Sequence, residues 1–249
     1  LGIGGVLPNL VALTSEYAPQ RVRSTLVTTM FSGYAMGGIM AALCGTWFTA
    51  DYGWQVMFHI AVIPLLFVPL FWKFLPESLI FLVKAKKEDQ ARYFLQKVEP
   101  AAQVSANTQL VLASTDQTGS TSVKELFTEN RAVGTFLFWL AFFMCLLMLY
   151  ALGSWLPKLM MAAGYSLGSS LMFLLALNIG AVIGTISGGV LADRFDFKRV
   201  LICMLTVGVL SLVGLGFNSP QPVIYLLVSL AGASSLGSSI LLYSYVAHY

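Results

Sequence analysis

Charge is what this sequence has least of. Asp, Glu, Lys and Arg make up 10% of its 249 residues, against about 25% in an ordinary soluble domain. With 57% of the chain hydrophobic, no water-facing surface can be assembled from it, so a soluble globular protein is excluded. Histidine is nearly absent. Two residues, at the ends of different apolar runs, do not make the constellation of nucleophile, base or metal ligands that a membrane enzyme needs. Cysteine is scarce as well: Cys44, Cys145 and Cys203 all fall inside apolar runs, an odd count without paired spacing. They read as small packing residues, which leaves no disulfide framework, metal centre or cofactor to propose. A channel would want a repeated pore-lining ring or a re-entrant filter segment, and neither is visible.

What is present is apolar length. The intervals 24–50, 52–72, 132–157, 159–192 and 200–249 contain no Asp, Glu, Lys or Arg, and about 20 apolar residues suffice to cross a bilayer as a helix. Clustered Gly, Ser, Asn and Pro at "AAGYSLGSS" (162–170) and "NSPQP" (218–222) subdivide the two longest. Six spans are predicted, at 25–49, 54–75, 132–157, 168–191, 199–217 and 221–247. A further apolar segment, "LGIGGVLPNLVAL", opens the chain without Met or a positively charged leader, so the sequence reads as cut from something longer.

Alternating these spans puts 16–24, 76–131 and 192–199 on one side. With Lys73 at a helix end, they hold 13 of the 14 Lys and Arg residues. By the positive-inside rule that side is cytoplasmic. The net charge of +3 then reports topology and calls for no nucleic-acid partner. Within the long cytoplasmic segment, "VKAKKEDQARYFLQKVEP" sets Ala91, Phe94, Leu95 and Val98 at helical spacing, as in an amphipathic helix on a membrane surface. "VSANTQLVLASTDQTGSTS" after it has a linker's composition. The chain divides accordingly into membrane segments at 1–75 and 132–249, tethered by 76–131.

Against this background "GGVLADRFDFKRVL" (188–201) stands out, with Asp193, Arg194, Asp196, Lys198 and Arg199 close together. It resembles the G-x-L-A-D-R-x-G-R-K loop signature of the major facilitator superfamily, in the copy between the eighth and ninth helices; Asp196 replaces the usual Gly and Phe197 the first basic residue. Further matches follow in chain order. Glu16, Pro19 and Arg23 match the E-x-x-P-x-x-x-R after the fourth helix, "GWQVMF" (53–58) is similar to G-W-R-x-M-F, and "LPESLIFL" (75–82) resembles the P-E-S-P-x-x-L that closes the sixth. "LPNLVALTSEYAP" and "LYALGSWLPKLM" look most like the aromatic acid:proton symporter family.

That resemblance implies an all-α membrane protein, part of a twelve-helix fold in which two bundles are joined by a cytoplasmic loop, with this chain covering helices four to ten. It implies a secondary transporter at the inner membrane. Such a transporter takes up an aromatic carboxylate with protons by alternating access about a midplane site. Another organic anion or a sugar, or a chain that transports nothing by itself, stays open.

Site residues follow from the same resemblance. Asp193 and Arg194 would form a cytoplasmic latch, through charge-assisted hydrogen bonds from guanidinium and backbone donors at a helix end; Glu16 and Arg23 would be its counterpart. The plainer alternative is a solvated loop whose basic residues only enforce topology. The small-residue runs Gly33, Gly37, Ala41, Gly45 and Gly180, Gly184, Gly188 would meet each other across the two halves, or else pack within each half. Helices seven and ten would line the cavity. On the first, Trp139, Phe143, Tyr150 and Ser154 share a helix face, and on the other Gly232, Ser235, Ser239 and Tyr243 do. Aromatic rings with a few hydroxyls suit a planar aromatic acid, although ordinary packing gives the same pattern. Asn178 is a mid-membrane amide that either faces the cavity or bonds a neighbouring helix. Trp47, Trp155, Tyr165 and His59 near helix ends read as interfacial residues.

Overall fold

A computed structural model describes residues 2–85, 87–98, 127, 132–217 and 219–246. The expected linker at 104–122 lies outside them. Ten helices are described: α1 (Gly2–Tyr17), α2 (Arg23–Tyr52), α3 (Val56–Ile60), α4 (Val68–Phe74), α5 (Leu79–Lys84), α6 (Glu88–Val98), α7 (Ala132–Ala162), α8 (Leu167–Arg194), α9 (Phe197–Leu215) and α10 (Gln221–Val246), with 3-10 turns at Gln20–Val22 and Ile63–Phe67. No strand occurs among the described residues. Helix is the expected outcome, because a chain in lipid must satisfy its backbone hydrogen bonds within each segment. Six stretches are long and apolar enough to span a membrane: Arg23–Thr49, Val56–Phe74, Ala132–Ala162, Leu167–Arg194, Phe197–Leu215 and Gln221–Tyr243.

Three spans differ from their sequence-based boundaries. The span at 54–75 is not one continuous helix. α3 stops at Ile60, four residues before Pro64, whose ring would collide with the residue-60 carbonyl, and α4 restarts with Pro69 in its first turn. α7 runs past Pro157 to Ala162 and stops where Gly164 adopts φ +92°, a left-handed conformation that costs glycine little. The Lys158 ammonium, expected beyond the helix, sits on it 5.4 Å from the Trp155 ring centroid. Finally, α8 extends through Asp193 and Arg194. The loop to α9 shrinks to Phe195 and Asp196, so the charged motif is held on a helix end instead of hanging in a loop.

The described residues form two compact units. One comprises residues 1–18 and 63–135. In it α5 packs on α6, with Leu82 and Ala91 fully buried and Tyr93 exposed, the two-sided helix that the sequence pattern predicted.

The other unit, residues 19–62 and 136–249, contains α2, α3 and α7 to α10. α10 lies at its centre, against α8, α9 and α2, and α8 also packs along α2. Glycines allow these close approaches. A Cβ at Gly180 would strike the Ser229 carbonyl, one at Gly184 the Ala233 backbone, and one at Gly232 the Leu177 carbonyl. The Gly180, Gly184 and Gly188 run therefore faces α10, with Met204 of α9 beside Gly188, and does not meet the small-residue run of α2. Gly33 and Gly37 have open space beside them. α2 instead meets α8 through Gly38 on Asn178, Thr28 on Gly189 and Gly45 on Leu171. Periodicity identified which face of each helix is narrow; it carried no information on which neighbour fills the groove.

The apolar cluster Leu156, Phe173, Leu177 and Val228 joins α7, α8 and α10. Phe173 stacks on Tyr225 at 4.2 Å and meets Tyr165 edge-on at 5.2 Å, which makes Tyr165 a packing residue as well as a helix-end one. Buried hydroxyls are satisfied at short range: Ser211 donates to the Val207 carbonyl at 2.7 Å, and Ser234 crosses to the Met204 carbonyl at 2.7 Å. Such donors can lie in a dry interface because nothing is left unpaired.

These contacts predict opposite outcomes for one substitution at two glycines. Gly184→Ala forces α8 and α10 apart and costs ~1–3 kcal/mol as overpacking. Gly37→Ala enters open space and is neutral or stabilising by up to ~1 kcal/mol through helix propensity. Thermal unfolding of the two variants in detergent should move Tm in opposite directions, or down for Gly184→Ala alone.

Candidate functional site

α2 starts without a cap of its own. Its N-cap residue is Val22, which has no side-chain acceptor, so the first-turn amides need partners from elsewhere. Asp193 supplies them from the last turn of α8. Its carboxylate accepts from the Ser24 amide at 3.2 Å, the Thr25 amide at 2.8 Å and the Thr25 hydroxyl at 2.6 Å. An anion at a helix amino terminus also meets the positive end of the helix dipole. One turn earlier, Gly189 lets Thr28 approach so closely that any Cβ would fall on its hydroxyl. Gly189 and Asp193 thus act together, the first bringing the helices into contact and the second bonding them.

The neighbouring charges are arranged differently. Arg194, Lys198 and Arg199 are exposed. Arg199 reaches Asp196 only at 3.9 Å with both side chains largely in solvent, a geometry worth little. They fit the topological role. Arg23 begins α2, half-buried, and its Nε has no hydrogen-bond partner among the described residues. Its expected partner Glu16 belongs to the other unit. There the Ser78 hydroxyl donates to the Glu16 carboxylate at 2.8–2.9 Å while accepting from the Phe81 amide at 3.2 Å. Glu16 thus buttresses the cap of α5, in the stretch that matched P-E-S. Beside it the Tyr17 hydroxyl donates to the Glu77 carbonyl at 2.6 Å. Burial, then the Glu16 and Glu77 carboxylates, push the Tyr17 phenol above its ordinary value.

The expected substrate residues fall in four different settings. Trp139, Phe143 and Tyr150 lie on an open side of α7, at 55, 60 and 62% exposure, with Ser154 on the same side. Ser235 and Ser239 are buried, and their hydroxyls donate to the Gly232 carbonyl at 3.2 Å and the Ser235 carbonyl at 2.7 Å of their own helix. Asn178 donates at 2.8 Å to the Leu174 carbonyl of its own helix and presses its amide against Gly38 of α2, a packing contact with the neighbouring helix in place of the expected hydrogen bond to it. Tyr243 is held between Phe31 of α2, near parallel at 6.0 Å, and Phe142 of α7 at 4.7 Å.

Phe31 and Phe142 were not among the sequence candidates. Phe142 lies one position from Phe143 but about 100° away around the helix, on the stripe that continues through the buried Cys145 and Leu156. That stripe was the available signal, and the aromatic spacing at 139, 143 and 150 drew attention to the other face. Among the described residues no cluster of His, Cys, Asp or Glu could hold a metal. A cleft of about 580 Å³ in the first unit, beside Glu16 and Trp72, contains none of the expected substrate residues.

The α2 cap can be tested by a double-mutant cycle in the protein expressed from its complete gene. Asp193→Asn should cost about 1.5–3 kcal/mol of stability, as expected for losing hydrogen bonds to a charged group. Thr25→Val should cost less, and the pair should be non-additive by at least ~0.5 kcal/mol because the side chains touch. Additive losses in unfolding experiments would show that the Thr25 to Asp193 bond contributes nothing.

The family model described as the Major Facilitator Superfamily matches residues 1–249. The chain is 47% identical to the benzoate transport protein of Acinetobacter baylyi, over all of this chain and 54% of that protein. It is 33% identical to the gentisate transporter of Corynebacterium glutamicum, over all of this chain and 51% of the relative. With the 4-hydroxybenzoate transporter of Acinetobacter baylyi it shares 34% identity over 88% of this chain and 50% of the relative. The chain therefore spans about half the length of the curated relatives it matches. No solved structure matches it. The six membrane-length stretches, the Asp193 motif in its structural setting and the match along every residue agree: this chain belongs to the major facilitator superfamily and is a multi-pass membrane protein.

Proposed function

We propose that the protein serves proton-coupled uptake of an aromatic carboxylate of the benzoate or hydroxybenzoate kind, by alternating access, in the plasma (inner) membrane. The observation that carries this is the 47% identity, over the entire chain, to a protein named for benzoate transport. Relatives named for gentisate and 4-hydroxybenzoate transport support the same substrate class. The substrate partners are then the aromatic acid and protons, within a lipid bilayer.

In this proposal residues 1–75 and 132–249 belong to two bundles tethered by 76–131, and the α2 to α8 seam is where they meet. Along it the pairs Thr25 and Asp193, Thr28 and Gly189, Gly38 and Asn178, and Gly45 and Leu171 run in antiparallel order. The closest approaches are toward the basic, cytoplasmic end. At the far end a Cβ on Gly45 would still have 3.6 Å to Leu171. This pattern supports a latched state closed to the cytoplasm. Asp193 holds it, and Arg23 at the start of α2 is the second gating residue. Opening inward breaks three hydrogen bonds to one carboxylate, a bias of the few kcal/mol that a two-state gate needs.

The cavity role falls on the open face of α7. Trp139 and Phe143 offer ring surface, and Tyr150 offers a hydroxyl to a carboxylate. Asn178, Ser235, Ser239 and Tyr243 support the wall from behind, since their polar atoms or rings are already engaged with neighbours in this state. A mid-membrane site of rings with few donors favours a planar acid over a sugar, which needs many hydrogen bonds.

The protein expressed from its complete gene should, in liposomes with an inward proton gradient, accumulate labelled benzoate, and excess 4-hydroxybenzoate but not a sugar should compete. Absence of uptake, or uptake indifferent to the gradient, would overturn the proposal. Tyr150→Leu removes ring and hydroxyl, a loss on the order of 1–3 kcal/mol, so apparent affinity should fall roughly ten- to hundredfold. Unchanged kinetics would remove Tyr150 from the site.

A further inference from the structure

The Phe31, Tyr243 and Phe142 contact has a depth as well as a composition. Phe31 is eight residues into α2 and Phe142 ten residues into α7, about 12 and 15 Å from the helix starts at 1.5 Å per residue. Both helices start on the basic side, and Tyr243 approaches the same level near the end of α10. The rings therefore sit on the cytoplasmic side of the Gly38 and Asn178 contact. Phe31 is buried, and the residues just before Tyr243, Ile240, Leu241 and Leu242, are almost fully so. On the side of the rings away from the basic end, Cys145 is 2% exposed with its sulfur 3.4 Å from the Ser238 hydroxyl. Three different helices thus converge on one tyrosine, and α2 is on the opposite side of the proposed seam from α7 and α10.

We propose that the Phe31–Tyr243–Phe142 stack is a plug below the cavity that closes the cytoplasmic side, and that an aromatic substrate ring displaces it by offering Tyr243 an equivalent stacking partner. This rests on the transporter reading and deepens it by naming a specificity-determining residue. Ring-on-ring contacts are exchangeable: a planar substrate replaces Phe31 at little net cost, whereas an aliphatic acid leaves Tyr243 without an equal partner. Selectivity for flat rings and release toward the cytoplasm then come from one side chain. In the closed state Asp193 holds the helix ends and the plug holds the level above them. The Tyr243 hydroxyl has no part in this, so the ring alone must suffice.

Cys145 provides the readout. In inside-out membrane vesicles carrying the protein expressed from its complete gene, its modification by a membrane-impermeant maleimide is followed by peptide mass spectrometry. Tyr243→Ala and Phe31→Ala should each raise the Cys145 labelling rate about tenfold, the scale of one or two lost aromatic contacts. Tyr243→Phe, which keeps the ring, should label as wild type does. Continued protection of Cys145 in both alanine variants, or equal exposure in Tyr243→Phe, would overturn the plug. In the wild type, benzoate should speed labelling and cyclohexanecarboxylate should not. If both acids speed it equally, displacement by stacking is wrong. If the alanine variants open the site while neither acid has any effect, the plug stands as a closure and the aromatic-acid reading fails.

Discussion

A carboxylate on one helix does the capping that another helix cannot do for itself. α2 begins with Val22 at its N-cap, and its first free amides are satisfied by Asp193 at the end of α8, 168 and 169 residues away in sequence. The consequence is that α2 has a well-satisfied amino end only while α8 is beside it. Two other helices have local caps, Ser78 for α5 and Ser166 for α8. A long-range cap couples the helix's own stability to the packing of the seam. For a gate this is a useful property: separating the helices exposes the Ser24 and Thr25 donors and the carboxylate at once, so closure is favoured.

The packing around that cap follows the same economy. Where lipid gives no hydrophobic drive for helices to associate, contact must come from shape. α8 and α10 interlock through Gly180, Gly184 and Gly232 against backbone atoms. The α2 to α8 contact has its close approaches at Gly189 and Gly38 against the side chains of Thr28 and Asn178.

Much of this was legible in the sequence, for identifiable reasons. Charge-free intervals located all six membrane-length stretches because a bilayer penalises charge almost anywhere along a span. The Asp193 motif was legible as a carboxylate at a helix end, but its partner was not, since nothing in Ser24 or Thr25 marks them as donors to a residue so distant. The broken span at 56–74 could have been read from Pro64 and Pro69, whose effect on the backbone is local. For the glycine run of α8 two neighbours stayed open, because spacing defines a face and tertiary packing chooses its partner; the packing within one half is the one observed. Ser235 and Ser239 looked like cavity hydroxyls on the same logic, and their bonds to their own helix depend on rotamers that no spacing encodes. Phe31 and Phe142 were passed over because an aromatic cluster assembled from three helices leaves no period in any one of them.

The claim on which the rest depends is that the Asp193 charge keeps α2 and α8 together at the basic end. It is tested most directly by spin-label distances between Leu26 and Leu191, exposed positions flanking the contact, in the protein expressed from its complete gene and reconstituted in lipid. A single short distance is expected with Asp193 in place. Asp193→Asn, which keeps the shape and removes the charge, should add a second, longer population, and Asp193→Glu should largely restore the short one. One unchanged distance distribution in Asp193→Asn would contradict the latch, leaving the carboxylate as a helix cap without control over the seam.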